Sequence, residues 1–167
     1  MAFHFALTPP AEAAEPSVAE PLEDEEDYWY LAICASKALA LAGYRFDIGG
    51  FGHPDWKFDV SYDMSTFAEQ LPDLIAGLRT GRPVEIDLYS QGVERTLKFA
   101  WSQHQARITC VSRTSWQPSP ATEFIDRTQL ELMVREFCRT LASGLVAADP
   151  RIAALPPFSR WRDGELV

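Results

Sequence analysis

The stretch Trp56-Lys57-Phe58-Asp59-Val60-Ser61-Tyr62-Asp63 alternates apolar and polar residues without interruption, and its reading decides the fold. With a period of two, Trp56, Phe58, Val60 and Tyr62 line one face of a β-strand, and Lys57, Asp59, Ser61 and Asp63 line the other. The expectation is a half-buried sheet whose wet face carries carboxylates. Upstream, Tyr44-Arg45-Phe46-Asp47-Ile48 alternates in the same way and ends in Gly49-Gly50-Phe51-Gly52, so the two segments read as a β-hairpin with a glycine-rich connection.

Downstream, Thr66-Phe67-Ala68-Glu69 has capping-box spacing and predicts a helix start. Phe67, Leu71, Leu74, Ile75 and Leu78 recur at helical spacing, Pro72 is expected to kink the helix or restrict its first turns, and Gly81 and Pro83 close it. Val84–Leu88, Thr96–Trp101 and Arg107–Ser112 then read as a three-strand meander. A second capping box, Thr128-Gln129-Leu130-Glu131, opens a helix that runs to about Ala148 on the apolar stripe Leu130, Met133, Val134, Phe137, Leu141, Leu145. In the tail, Phe158 and Trp161 are expected to fasten the chain end to the body.

Nearer the N-terminus, residues 28–42 carry two competing signals. Abundant alanine, an acidic lead-in and Gly43 as a stop favour a helix. The aromatic start and the alternation at Leu39 and Leu41 favour two strands joined near Ser36-Lys37, which is the reading taken here. Phe3, Phe5 and Leu7 alternate like a short strand able to dock on the sheet edge. Residues 8–27, rich in proline and ending in Glu23-Asp24-Glu25-Glu26-Asp27, read as a flexible acidic segment that either solvates or attracts a basic partner. Residues 1–167 together imply one α+β domain: an antiparallel β-sheet with two amphipathic helices packed on one face.

Composition narrows the function classes. The chain has 24 acidic residues against 15 lysines and arginines, a formal charge of -9. Nucleic-acid binding draws its affinity from cations set against phosphates, so this balance disfavours it and favours a basic protein partner. Cys34, Cys110 and Cys138 are widely spaced, without a CxxC pair, and read as reduced core thiols. No apolar run is long enough for a membrane span, and the N-terminus lacks the basic start of a signal peptide, so a cytoplasmic location is the expectation.

Chemistry-bearing motifs are sparse. His4, His53 and His104 are scattered, and no metal or cofactor is expected. His53, Asp55 and Asp59 form the one loop able to supply an acid/base pair. The glycine turn matches neither GxGxxG nor GxxxxGK[ST] and reads as a turn needing positive φ. Arg113 and Trp116, in the polar loop Ser112-Arg113-Thr114-Ser115-Trp116, are a residue pair of the kind that binding hot spots contain; the alternative is that Trp116 folds back onto the sheet edge.

The Gly49-Gly50-Phe51-Gly52 turn, the Trp56–Asp63 segment, the helix around Glu69-Gln70-Leu71-Pro72 and the Ser112-Arg113-Thr114 loop together resemble small bacterial immunity proteins, which neutralise a cognate toxin. The resemblance spans roughly residues 44–145. It implies a small, acidic, cytoplasmic α+β protein without catalytic residues, binding a toxin domain. Asp59, Asp63, Glu85 and Asp87, with Arg113 and Trp116, are the expected partner-binding residues. The alternatives are a small enzyme built on His53, Asp55 and Asp59, and an adaptor subunit that assembles, with itself or others, through a sheet edge.

Overall fold

A computed structural model describes residues 2–12 and 20–166. Strand β1 (His4–Thr8) is followed by helix α1 (Tyr28–Leu41), strand β2 (Arg45–Gly49), and helices α2 (Asp63–Ala68) and α3 (Leu71–Thr80). Strands β3 (Val84–Leu88), β4 (Arg95–Trp101), β5 (Gln105–Ser112) and β6 (Thr122–Asp126) come next, then helices α4 (Arg127–Ala148), α5 (Pro150–Ala153) and α6 (Phe158–Arg162). β3-β4-β5-β6 form an antiparallel meander, and β1 pairs antiparallel with β2 in a separate two-stranded sheet. The α+β class holds, but the arrangement of one sheet and two helices does not: the described residues form two sheets and six helices.

The Trp56–Asp63 segment is the first reason. Lys57 adopts φ 59°, a left-handed conformation that no strand contains, and the segment forms no ladder. It is an irregular arm whose Trp56, Phe58 and Val60 are buried, while Tyr62 is 51% exposed. Alternation therefore identified three core residues and misassigned both the conformation and the fourth. Trp56 N, which donates to Ile48 O at 2.9 Å, and the isolated bridge Gly50–His53 tie the backbone of this region to the end of β2.

Residues 28–42 are the second reason. Asp27 accepts from Trp29 N and Tyr30 N, capping the start of α1. At its end Tyr44 N donates to Leu39 O and Gly43 N to Ala40 O, a Schellman closure that requires the left-handed φ of 88° at Gly43. The acidic lead-in and the glycine stop were thus the informative signals. Alanine at four positions of this helix blurred the contrast between faces that marks a helix in sequence.

The two capping boxes are displaced. Helix α2 starts three residues before Thr66, where Asp59 Oδ1 accepts from Tyr62 N and Asp63 N while Asp63 Oδ2 accepts from Asp59 N. The chain then breaks at Glu69-Gln70, and α3 begins with Pro72 in its first turn, where a missing N–H breaks nothing. At α4 the cap is Asp126, accepting from Thr128 N and Gln129 N; Asp126-Arg127-Thr128-Gln129 has the box spacing two residues earlier. The helix ends at Ala148 as expected.

One face of the four-stranded sheet is packed and the other is open. Ile86, Leu88, Leu97, Phe99, Ala106, Ile108 and Cys110 point into the core, where the α4 stripe meets them. Between these layers Phe5, Phe46, Phe67 and Phe137 form an aromatic hub, with Phe67–Phe137 at 5.5 Å and Phe5–Phe67 at 4.8 Å between ring centroids. Phe158 and Trp161 of α6 are buried against the body, as the tail reading expected. Residues 13–19 of the acidic segment lie outside the described residues. Of its remainder, Glu23 N donates to Tyr30 Oη, Asp24 caps the turn at Glu26 and Asp27, and Glu20 O accepts from Arg151.

Cys110 and Cys138 are buried and Cys34 is half-buried; none of the three is cross-linked. Burial pushes the Cys110 thiol up to about 11, and it raises that of Cys138 further. Titration of the native protein with a disulfide reagent at neutral pH should therefore modify Cys34 alone, the other two reacting only on unfolding. Because the folded value is the higher one, the unfolded thiols ionise first, and stability should fall as pH rises above the ordinary thiol range toward 11. Three equally fast thiols would contradict this packing.

Candidate protein-binding surface

The structure divides the four carboxylates that the sequence aligned. Glu85 and Asp87 project from β3 onto the open sheet face, where Glu85 pairs with Lys98 at 3.2 Å and Asp87 with Arg113 at 2.5 Å. Asp59 sits in the arm before α2 and Asp63 opens that helix, their oxygens engaged in capping the turn. Asp63 lies near Arg95, a core-facing residue of β4.

Arg113 is tied down by Asp87 and by the Thr96 hydroxyl, at the end of the sheet where β3, β4 and β5 meet. Trp116 takes the folded-back alternative. Its ring lies 6.0 Å from Trp56, and the Arg95 guanidinium packs against both rings, 4.4 Å from the Trp56 centroid and 4.3 Å from that of Trp116. Arg95 is almost wholly buried with one hydrogen bond, to Val93 O, so cation–π attraction offsets part of its desolvation. Trp116 is thus half core, not a free-standing anchor.

The loop carrying His53, Asp55 and Asp59 does not assemble a site. Asp55 is held by Lys57 Nζ at 2.6 Å and by Lys57 N, bonds that lower its carboxyl from the usual value, with a weaker contribution from His53. His53 is exposed. Among the described residues, no group of three histidine, cysteine or acidic side chains is placed to hold a metal ion.

The turn Gly49–Gly52 serves packing. Gly52, with φ 84°, lies so close to the β5–β6 loop that an added Cβ would sit 2.1 Å from Ser119 O. Two backbone donors from this corner, Phe3 N and Phe51 N, converge on the Glu123 carboxylate of β6.

The exposed group that sequence reasoning missed is aromatic. Trp29 is 53% exposed, Tyr62 51% and Tyr89 41%; Trp29 and Tyr89 neighbour Glu69, and Tyr62 neighbours Tyr89. Two clamps bring them together. Tyr28 Oη donates to Ala68 O at 2.6 Å, which sets the first turn of α1 over the end of α2. The Gln70 side-chain amide then pairs with the Asp87 backbone, Nε2 to O and N to Oε1, both at 2.8 Å, which brings Tyr89 alongside Glu69.

At the centre, Tyr89 Oη donates to Glu69 Oε1 at 2.6 Å. Glu69 Oε2 is covered and lacks a hydrogen-bond partner. Burial raises the Glu69 carboxyl above its usual range, against the Tyr89 hydrogen bond and the neighbouring Trp29 side chain, which favour the ion. Burial and the Glu69 charge together push the Tyr89 phenol up to about 12. The acidic run Glu23–Asp27 leads directly into Trp29. Tyr62 and Trp29 were visible in sequence, but their outward orientation depends on the left-handed turn at Lys57 and on α1 being a helix. No protein-family model matches this chain, and no curated protein or solved structure matches it either.

Proposed function

We propose that this chain is a non-catalytic protein-binding protein of the toxin-immunity type, acting in the cytoplasm by covering the active site or substrate access of a basic toxin domain. The observation that carries the reading is the juxtaposition of three exposed aromatic side chains, Trp29, Tyr62 and Tyr89, with the acidic lead-in Glu23–Asp27. Aromatic residues of this kind supply most of the energy at protein interfaces, and a surrounding field of one sign steers the encounter. The exposed face of β3, with Glu85 and Asp87 beside Arg113, extends the contact.

The deciding experiment is capture of the partner from the source cell, its identification, and expression of that protein in a host with and without this chain. The expected result is a basic protein that arrests growth alone and is tolerated when this chain is co-expressed. A chain that forms a stable homo-oligomer and relieves no toxicity would overturn the reading.

Electrostatic steering makes a separate kinetic claim. Charge reversal at Glu25, Glu26, Glu85 and Asp87, which caps no helix, should slow association about tenfold or more at low salt while leaving dissociation nearly unchanged. Stopped-flow measurement at two ionic strengths checks this, since the effect must shrink as salt screens the field. An association rate indifferent to both salt and reversal would remove the acidic surface from the contact.

A further inference from the structure

Glu69 stands at the end of two clamped elements with one oxygen bonded to Tyr89 and the other bonded to nothing. None of the ion pairs among the described residues includes it. A partly buried carboxylate without a counter-charge is costly to keep, and it lies beside the Tyr89 and Trp29 side chains, whose ring faces carry negative potential. We propose that Trp29, Tyr62 and Tyr89 form a receiving site for a lysine side chain of the protein partner, with Glu69 as its counter-charge.

The chemistry selects lysine in three steps. A cation is attracted by both the ring faces and the carboxylate, and the acidic run before Trp29 adds to the same field. The long aliphatic stem of lysine lies well against exposed rings while its charged end goes deeper. Arginine gains its advantage from a two-pronged grip on both carboxylate oxygens, and Tyr89 already occupies Oε1, so the single remaining oxygen suits the point charge of an ammonium. Tyr62 stands beside Tyr89 and is free to adjust to the incoming chain. Its ring is half exposed, and its hydroxyl makes no hydrogen bond among the described residues, so little holds it in place.

This inference rests on the protein-binding reading, and its test is separate from capture of the partner. The probe is the blocked single residue N-acetyl-lysine methylamide, titrated at millimolar concentration while the Trp29 indole N–H is followed by NMR; the norleucine and arginine analogues serve as controls. Saturable shifts with the lysine compound, weaker ones with arginine and none with norleucine are expected. Glu69→Gln should weaken lysine binding about tenfold, the loss of one contact of this kind. The amide keeps an acceptor for Tyr89 and removes the uncompensated charge, so the melting temperature of this variant should be equal or higher, which separates a binding role from a structural one. Tyr62→Ala should weaken binding without unfolding the protein.

Equal response to norleucine would reduce the site to an apolar patch and overturn the proposal, as would lysine binding unaffected by Glu69→Gln. A partner captured with unchanged affinity by Glu69→Gln would leave the protein-binding reading intact and remove the lysine site. Specific lysine binding without any partner would do the reverse.

Discussion

Phe137→Ala is expected to lower the unfolding free energy by roughly 3–5 kcal/mol, the range for truncating a fully buried aromatic. The site sits at the upper end of that range for a geometric reason. Phe137 touches Phe5, Phe46 and Phe67, so one ring joins α4 to the two-stranded sheet and to α2 at once. The cavity left behind would be walled by rings belonging to separate elements already held by their own backbone bonds, and these cannot easily collapse into it. Urea titration should show the midpoint falling with little change in slope. A loss below about 1 kcal/mol would mean that the hub can repack, contrary to the close density expected of such a core.

Glu123→Ala is the second large effect, expected at roughly 2–5 kcal/mol because two backbone donors lose their acceptor together. Phe3 N and Phe51 N both end on this carboxylate, from opposite ends of the corner that β1, the glycine turn and β6 make. Glu123→Gln should lose only about half as much, since its carbonyl can still serve one donor while its NH2 group opposes the other. Hydrogen exchange reads the result residue by residue: the Phe3 and Phe51 amides should lose protection ahead of the β4 and β5 amides. Uniform loss, or none, would show that water or a local shift replaces the carboxylate.

These two sites mark how far the sequence could be read. Of the apolar positions read as inward-facing from Phe46 to Leu141, all but Tyr62 and Met133 are buried, Trp56, Phe58 and Val60 among them, because burial follows the pattern of hydrophobicity whether or not a regular element carries it. β3 was legible to the residue, and β4, β5 and α4 nearly so, since period and boundary signals agree there. The Trp56–Asp63 segment misled because alternating burial requires only alternating direction, and a left-handed residue at Lys57 achieves that in an irregular chain. β6 lacks alternation, its apolar Phe124 and Ile125 being adjacent, and it runs straight into the next helix, whose cap Asp126 it provides.

The candidate surface was less legible still. Asp59 and Asp63 look like free surface charges in sequence, yet the unpaired donors at the start of α2 claim them. Glu69 looks like part of a cap and is instead the centre of the aromatic cluster. Its surroundings come from residues 29 and 89, with Tyr62 beside Tyr89, and no local pattern encodes a meeting set by the Tyr28–Ala68 and Gln70–Asp87 clamps.

The Gln70 amide has one more effect, on what this sheet can become. β3 is an outer strand, and in an antiparallel ladder alternate residues aim their N–H and C=O groups away from the neighbour. On β3 those outward positions are Glu85 and Asp87, with Pro83 just before the strand contributing no donor. Gln70 fills both groups of Asp87, acting as a strand one residue long. A second chain seeking to continue the ladder there would find a single open peptide, at Glu85, guarded by a carboxylate. Growth into fibrils or edge-joined assemblies from this side is therefore blocked within the monomer itself, and copies or partners must meet it through side chains.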